Sequence, residues 1–410
     1  MESWKRKTAF FLAGQTGSLF GSSLVQYALL WHLTLETRSG AVMTGYIICG
    51  FLPGLVLSPF AGVWADRYDR KKLIVLADAF IALVTLAAAV ALFSGAPEIP
   101  LFFAMAALRS AGGAVHQPCV GAFLPSLVPE EQLTRVNGIN GGIQSALMIA
   151  SPMAAGALLG FMPVSAIFFI DVFTALIAIA ILAFLVPSTY AQTGAEAPSG
   201  GYIEEIAAGM KYIRDHRFLK ELFIYIGILY VLVSPAAFLT PLQTARSFGP
   251  EYWRLTAIEI AFSLGMLLGG AGIAMYPGPK NRMKTILAAN AVMAACTIGL
   301  ALSPVLPPAA SFSVYLGFMG LFGVSMPFLN TPSTVLIQEH VDNAYLGRVF
   351  AVFGILSGSL MPLAMLVFGP LSDALKLEPI LAATGAAMFI LVLLVPLNRR
   401  LRNPASAEER

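Results

Sequence analysis

Charged residues are scarce in this chain. They make up 11% of its 410 residues, against about 25% in a typical soluble domain. Hydrophobic residues make up 58%, and the mean hydropathy is +0.79. The shortage of charge excludes an ordinary soluble enzyme or binding domain, and such an apolar composition predicts a polytopic membrane protein.

Cysteine and histidine are scarce as well. The three cysteines have no C-x-x-C spacing, so we expect neither a disulfide framework nor a thiolate metal site. The histidines are scattered and form no H-x-x-x-H pair, at His32, His116, His216 and His340. We therefore predict no metal site and no enzymatic activity. The net charge of +3 does not indicate a nucleic-acid partner.

Apolar runs recur along almost the whole sequence, and their length of about 20 residues is what a helix needs to cross a bilayer. We predict twelve spans, near residues 9–35, 42–65, 73–94, 100–126, 136–160, 163–187, 218–246, 255–277, 284–303, 309–338, 347–372 and 378–398. The first run lacks a clean cleavage site, so we interpret it as a retained span. The predicted fold class is an all-α integral membrane protein of two six-helix bundles, at residues 1–187 and 218–410.

Residues 188–217 separate the two sets of six spans. The stretch "AQTGAEAPSGG" is rich in glycine, serine and proline, which predicts a linker. In the following stretch "YIEEIAAGMKYIRDH", Ile203, Ile206, Met210 and Ile213 recur at helical spacing. This pattern predicts a short amphipathic helix at the cytoplasmic membrane surface.

Basic residues are distributed unevenly between alternate loops. When both termini are assigned to the cytoplasm, twenty of the 25 Lys and Arg residues fall on that side. The opposite loops contain four, at Arg38, Arg246, Arg254 and Lys376. Because cytoplasmic loops are enriched in Lys and Arg, we predict a multi-pass protein of the plasma membrane with both termini in the cytoplasm.

The two halves of the chain resemble each other weakly. "LVPEEQLTRV" at 127–136 aligns without gaps on "HVDNAYLGRV" at 340–349, with both valines, the leucine and the arginine matched. Just upstream, "HQP" in span four corresponds to "NTP" in span ten. Such self-similarity is typical of a duplicated six-helix unit.

The loop between spans two and three concentrates charge in the stretch "GVWADRYDRKK". A carboxylate of Asp66 that faces Arg67 and Arg70 could form a charge-assisted latch that favours one conformation. Alternatively, the bases only anchor the topology, and this is the interpretation that we favour for Lys71 and Lys72.

The pattern G-x-x-x-D-R-x-x-R-K in this loop resembles motif A of the major facilitator superfamily. Its positions are matched by Gly62, Asp66, Arg67, Arg70 and Lys71. Asp69 stands where the family usually has glycine, which leaves the form of the turn open. The resemblance implies that this loop helps to gate the cytoplasmic side. It extends over the whole chain, because the helix count, the central linker and the duplication fit as well.

Other stretches narrow the resemblance. "ALRSAGGAVHQP" resembles the motif B region and contains Arg109, and "SALMIASPMAAGALLG" resembles a degenerate antiporter motif C through Ser151, Pro152 and Gly156. With "WKRK", "GFLP", "IDVF", "FSLGMLLGG" and "YLGRVF", the chain is similar to the macrolide-efflux (Mef-type) branch of proton-coupled drug exporters. The resemblance implies alternating access, a bulky amphipathic substrate, a proton gradient instead of a cofactor, and a monomer.

Ionisable residues inside the predicted spans are costly and are candidates for proton coupling. Arg109 lies near the middle of span four, where it could tune a nearby acid or form a structural pair. Asp171 in span six and Glu259 in span eight are the acids best placed to titrate, although each could also be a wetted structural group. For Asp78, two turns into span three, we predict pairing with the motif A bases.

Polar side chains in spans one, four, seven and ten are candidates for a substrate cavity, because these spans line the cavity in the resembled superfamily. They are Gln15, Gln26, His116, Gln117, Tyr225, Tyr230 and Asn330. Prolines that follow His116 and Asn330 fit broken helices beside a cavity. Helix-to-helix hydrogen bonds are the alternative role for each of these residues.

Rival functions remain open at this point. Within transporters, the cargo could be a siderophore, a metabolite or a lipid. From other classes, a membrane-embedded enzyme lacks a catalytic constellation in the sequence, and a channel or receptor is disfavoured because a short repeated filter is absent. The sequence therefore favours a secondary transporter of a small amphipathic molecule.

Overall fold

The computed structural model describes residues 3–187, 202–275 and 281–398. Within these ranges the chain forms fourteen α-helices and no β-strand. The helices are α1 Ser3–Thr37, α2 Gly40–Arg67, α3 Arg70–Phe93, α4 Glu98–Phe123, α5 Leu133–Leu159, α6 Val164–Leu185, α7 Tyr202–Asp215, α8 Arg217–Phe238, α9 Thr240–Ser247, α10 Tyr252–Met275, α11 Arg282–Leu302, α12 Pro308–His340, α13 Leu346–Ala374 and α14 Leu377–Leu394. The predicted all-α class is confirmed.

Eleven segments in the described ranges are long and apolar enough to cross a membrane. They comprise every long helix except α1, with α8 and α9 together forming one segment. Helix α1 has 35 residues, which is longer than a membrane span needs to be. It is not apolar enough to be counted among these segments. The chain is thus a multi-pass membrane protein, and the number of twelve spans stays a prediction.

The predicted seventh span, 218–246, is interrupted. Helix α8 ends at Phe238 and α9 begins at Thr240, with Pro241 in its first turn. Proline has no N–H to donate to the preceding turn and disfavours a helical residue before it, so the helix breaks there.

The chain divides into two compact units. Of the described residues, unit 1 comprises 3–37 and 45–187, and unit 2 comprises 38–44, 202–275 and 281–398. In unit 1, α1 packs against α5 and α6, while α3 packs against α4 and α6. A hydrophobic core that includes Phe11, Ile74, Cys119 and Leu182 packs α1, α3, α4 and α6 together.

In unit 2, α12 packs against α10 and α11, α11 packs against α14, and α8 packs against α13 and α14. Helices α10 and α12 approach so closely that a Cβ at Gly265 would overlap the carbonyl oxygen of Gly320. A Cβ at Gly269 would likewise overlap that of Val324. Small residues allow this backbone contact, which is a common way for helices to associate in a membrane.

Residues 38–44 belong to unit 2 because Asp373, near the end of α13, binds the beginning of α2. The Asp373 carboxylate accepts hydrogen bonds from the backbone N–H groups of Gly40 (2.7 Å) and Ala41 (2.9 Å). Arg246 donates to the same carboxylate at 2.7 Å and to the Arg38 carbonyl at 2.6 Å. A carboxylate at a helix N-terminus satisfies N–H groups that have no partner within the helix.

The amphipathic helix predicted after the linker is α7, and it packs against α13. The buried side chains differ from the prediction, since Met210 is 57% exposed, whereas Tyr212 and Ile213 are buried. The cause is a close approach at Gly209, where a Cβ would lie 2.5 Å from the carbonyl oxygen of Arg348. The side chain of Ile203 and the rest of the predicted linker, residues 188–201, lie outside the described residues.

Candidate functional site

Helices α1, α3, α4 and α6 of unit 1 bury two polar clusters between them. On α3, Asp78 and Thr85 are seven residues apart, and on α4, Arg109 and His116 have the same spacing. Seven residues are close to two helical turns, so each pair lies on one face of its helix, about 10 Å apart. The helices therefore meet through polar groups at two levels.

The first level is the Asp171 cluster, formed by Ser22, Thr85, Arg109 and Asp171. Arg109 Nη1 forms an ion pair with Asp171 Oδ2 and a hydrogen bond to Thr85 Oγ1. The hydroxyls of Thr85 and Ser22 donate to the two Asp171 oxygens at 3.0 and 3.1 Å. The Asp171 side chain is completely buried. The network gives this buried carboxylate three donors and an opposite charge, so both of its oxygens have partners.

The second level is the Asp78 cluster, formed by Ser18, Asp78 and His116. The Ser18 hydroxyl donates to Asp78 Oδ1 at 2.9 Å, and His116 Nε2 lies 3.3 Å from the same oxygen. The Asp78 and His116 side chains are only 3% and 5% exposed. Asp78 Oδ2 has no hydrogen-bond partner among the described residues. This cluster thus holds a carboxylate with fewer donors than Asp171 has, beside a titratable imidazole.

The predicted pairing of Asp78 with the motif A bases is wrong. Asp78 is eight residues beyond Arg70, the first residue of α3, so it lies about 12 Å from that end. The bases bind elsewhere, because Arg70 donates to the Ala65 and Ala122 carbonyls at 2.9 and 3.0 Å. Lys71 donates to the carbonyls of Ala183 and Val186.

These contacts give motif A a structural role at the ends of α2, α4 and α6. Cationic side chains at a helix C-terminus pair with carbonyls that have no partner within the helix. Asp69, at the position usually occupied by glycine, caps α3 by accepting from the Lys71 and Lys72 N–H groups at 3.0 and 3.4 Å. Because aspartate is a favoured N-cap residue, it can replace glycine at this position.

The structure says less about the roles of the remaining motif A residues. Gly62 has open space where a Cβ would project, so packing does not require glycine at this position. Arg67 is exposed at the end of α2. The side chain of Asp66 lies outside the described residues, so the predicted latch between Asp66 and its neighbouring arginines stays a prediction.

The seven predicted cavity residues fall into two classes. Gln26, Gln117 and Asn330 are exposed. The other four are buried, at Gln15, His116, Tyr225 and Tyr230. In unit 2, Tyr225 accepts a hydrogen bond from Asn290 Nδ2 at 2.7 Å, and the Tyr230 hydroxyl donates to Asn330 Oδ1 at 3.4 Å.

The motif C residues are packed inside unit 1 on α5, which contacts α1. Ser151, Pro152 and Gly156 are all buried. The Ser151 hydroxyl has no hydrogen-bond partner within the described residues.

Glu259 is half-buried on α10 of unit 2. It makes no hydrogen bond or ion pair with other described residues, whereas Asp171 has a complete set of partners. The two acids named for proton coupling are therefore in contrasting environments. Across the described parts of the chain, no group of three or more His, Cys, Asp or Glu residues could hold a metal ion.

Sequence reasoning missed the Asp78 cluster and the two hydroxyls around Asp171. A signal was present, because a polar or charged residue repeats at a spacing of seven on both α3 and α4. Two apolar helices that each repeat a polar residue at this spacing can place those residues opposite each other.

Comparison with known proteins supports a transporter. A family model described as "Major Facilitator Superfamily" matches residues 9–365. The chain is 32% identical over 404 residues to "Macrolide efflux protein A" of Streptococcus pyogenes, with 98% of each chain covered. It is 35% identical over 329 residues to "Macrolide efflux protein A" of Enterococcus faecalis, which covers 79% of this chain and 98% of the relative.

Solved structures show the same fold. A bacterial homologue of the iron transporter ferroportin, in its inward-facing state, superposes with a TM-score of 0.75 at 15% identity, covering 95% of this chain and 98% of that one. At this identity the likeness concerns the fold alone. The family match, the helical architecture and the relatives agree, and the chain belongs to the major facilitator superfamily of membrane transporters.

Proposed function

We propose that this transporter exports bulky amphipathic drugs, macrolides among them, across the plasma membrane in exchange for protons. The observation that carries the proposal is the similarity to Macrolide efflux protein A, which extends over 98% of both chains. Because the similarity spans both units, it concerns the whole transport machinery rather than one shared segment.

The buried polar groups of unit 1 suit a secondary transporter. Ionisable side chains inside a membrane are expensive and are retained mainly where they bind ions or substrates. Unit 1 contains two such clusters, around Asp171 and Asp78. Exchange for protons requires groups of this kind, since the energy of the gradient enters through a side chain that gains and loses a proton.

Substrate binding calls for apolar surface and a few accessible polar groups. The exposed amides of Gln26, Gln117 and Asn330 can supply hydrogen bonds in this proposal. Alternating access then requires that the substrate and the proton bind the inward-facing and outward-facing conformations with different affinities. The two ligands then shift the equilibrium between these conformations in opposite directions. We further propose that the protein acts as a monomer with both termini in the cytoplasm, as the distribution of Lys and Arg indicates.

The test is transport by purified protein in proteoliposomes with an imposed pH gradient. A labelled macrolide and the internal pH are followed together, with liposomes that lack the protein as the control. We expect gradient-driven macrolide movement, with protons moving in the opposite direction, that stops when a protonophore is added. Macrolide movement that persists unchanged with a protonophore would contradict proton exchange.

Other cargoes are alternative outcomes of the same assay. Saturable flux of a siderophore, a metabolite or a lipid by inserted protein that moves no macrolide would replace the proposed cargo. Asp171→Asn and Glu259→Gln test the two acids predicted from the sequence. If either acid carries the proton, its variant loses the dependence of transport on the gradient.

A further inference from the structure

We propose that Asp78 and His116 together form the proton-binding site that couples this transporter to the gradient. The inference rests on the proposed function and names the residues that perform its coupling step. It starts from the geometry of the Asp78 cluster, which no sequence motif or relative described above assigns to proton binding.

The pair is built like a binding site and not like a completed structural contact. The Ser18 hydroxyl donates to Asp78 Oδ1 at 2.9 Å, whereas His116 Nε2 lies 3.3 Å from the same oxygen and forms no hydrogen bond with the described residues. The other oxygen, Oδ2, is buried without a hydrogen-bond partner among the described residues, and so is Oε1 of Gln15, one turn from Ser18 on α1. Buried polar atoms without partners are rare, and they mark places where another hydrogen is expected.

Charge balance supplies the second argument. Without a bound proton, the pair consists of a carboxylate and a neutral imidazole, so it carries one buried negative charge. One proton, on either residue, makes the pair neutral. Burying an unpaired charge is strongly unfavourable, so the buried state of the pair holds one proton, and it can release that proton where water reaches it. Histidine suits this exchange because it is the residue type that titrates in the physiological pH range.

The Asp171 cluster does not meet this condition. Its carboxylate is already neutralised by Arg109 and accepts from Thr85 and Ser22. Arginine keeps its proton under all ordinary conditions, so the ion pair is neutral without any added proton. Protonation of Asp171 would leave Arg109 as a buried unpaired cation, which is costly.

Among the described residues around Asp78, no other charge would neutralise its carboxylate. Helix α3 packs against α4 and α6, and Ser18 brings α1 to the same place. On α6 the titratable side chain is Asp171, paired with Arg109 of α4. The remaining charged residues of these helices lie toward their ends, at Lys5, Arg6, Lys7, Glu36, Arg70, Lys71, Lys72 and Glu98, as does His32, which pairs with Glu98 at 2.9 Å.

The coupling step needs no chemistry beyond proton transfer. A hydronium ion from the outer side gives its proton to the pair, forming one O–H or N–H bond and leaving water. After the conformational change, water on the cytoplasmic side accepts the same proton. The substrate travels outward in the state in which the pair is empty.

Two variants test the site in proteoliposomes. Asp78→Asn keeps the shape of the side chain and can still accept from Ser18, but it binds no proton, and His116→Gln removes the imidazole. We expect each variant to lose roughly tenfold or more of gradient-driven accumulation, the size of a typical coupling between two ligands. Exchange of labelled for unlabelled macrolide at equal pH on both sides should continue, since it needs no proton cycle.

The control is Thr8→Val. The hydroxyl of Thr8 is buried on α1 without a hydrogen-bond partner in the described chain, so this change removes a buried polar atom of unit 1 without touching the Asp78 cluster. It should leave both gradient-driven accumulation and exchange unchanged. Asp78→Asn or His116→Gln protein that keeps the full gradient-driven accumulation of the wild type would overturn the proposal.

A second measurement needs no substrate. Infrared difference spectra of the purified protein across a pH titration report protonated carboxyl and imidazole groups, and both Asp78→Asn and His116→Gln should remove one titrating component. If all titrating components persist in both Asp78→Asn and His116→Gln protein, the site is wrong.

The infrared titration distinguishes failure of the proposed macrolide export from failure of the proposed proton site. Suppose that the wild-type protein moves no macrolide but shows a titrating infrared component that the variants lack. This result would overturn the proposed cargo and support the proton site. A wild type with proton-driven macrolide transport that Asp78→Asn and His116→Gln leave intact would support the proposed function and overturn the site.

Discussion

The interiors of the two units differ in charge. Among the described residues, the carboxylates and the histidine that are fully buried, Asp78, Asp171 and His116, all lie in unit 1. The interior of unit 2 is held by neutral hydrogen bonds, such as the one from Asn290 to Tyr225 at 2.7 Å. Another joins the Tyr315 hydroxyl to Gln243 Oε1 at 3.1 Å.

This difference indicates that the two units have different roles. A neutral interior keeps the same interactions at any pH near neutrality, whereas an interior with titratable pairs changes its charge when a proton is bound. In the proposed mechanism, unit 1 is therefore the unit whose packing energy responds to the proton gradient. Glu259 and Asp373 of unit 2 do not weaken this contrast, since both are only partly buried.

The largest effect that we expect comes from Arg109→Ala. It leaves the completely buried Asp171 without its cation, and breaking such a pair costs about 3–5 kcal/mol. The protein should lose most of its folded, monodisperse fraction in detergent size-exclusion chromatography and melt at a lower temperature. Arg214→Ala, at a side chain that is 72% exposed, is the matched control and should change neither quantity.

A double variant sharpens this test. Arg109→Met combined with Asp171→Leu replaces both charges by apolar side chains, and such replacements of buried ion pairs are often neutral or stabilising. The double variant should therefore regain the stability that Arg109→Ala loses. If Arg109→Ala is as stable as the wild type, the buried charge does not dominate the energetics of unit 1.

An intermediate effect is expected from Gly269→Ala in unit 2. The new Cβ would overlap the backbone carbonyl of Val324 on α12, which has no freedom to move aside. Overpacking of this kind costs about 1–3 kcal/mol. Gly270→Ala is the matched control, because its Cβ meets nothing within 4 Å.

The corresponding change in unit 1 should be milder. A Cβ at Gly112 on α4 would lie 2.7 Å from Cγ1 of Ile81, a side chain that can adjust. Thermal unfolding of Gly112→Ala and Gly269→Ala compares the two units directly. Equal losses would show that unit 2 does not depend more strongly on backbone contact.

Most of the fold follows from the sequence, because span length, hydropathy and punctuation by glycine and proline are local properties. The predicted spans overlap the long helices. The break at residues 239–240, inside the predicted span 218–246, results from Pro241. The orientation of α7 could not be predicted, since Gly209 is buried through its contact with Arg348, a residue distant in sequence.

The candidate site was predictable only in part. Arg109, Asp171 and His116 could be selected because polar residues inside apolar runs are conspicuous. Their partners depend on how four helices are rotated against one another, and hydropathy does not encode rotation. Asp78 was given the wrong partner for this reason, since even the nearest charge in sequence, Lys72, lies about 9 Å away along α3.

The smallest effect, and the sharpest test of the contrast, is expected from Tyr225→Phe. This change leaves Asn290 Nδ2 without its acceptor, while Asn290 Oδ1 already lacks a partner among the described residues. The cost should be about 1–2 kcal/mol. Tyr230→Phe is the matched control with a smaller loss, because its 3.4 Å bond joins an exposed amide.

Neither Tyr225 nor Asn290 gains or loses a proton near neutrality, so the loss of stability in Tyr225→Phe should be the same at all pH values between about 5 and 8. The proposed proton site predicts that the difference in stability between Asp78→Asn and the wild type changes with pH, because the variant has no carboxylate that could take up the proton. Thermal midpoints of both variants, measured over the same pH series, decide the matter. A pH-dependent loss in Tyr225→Phe together with a constant one in Asp78→Asn would reverse the roles of the two units.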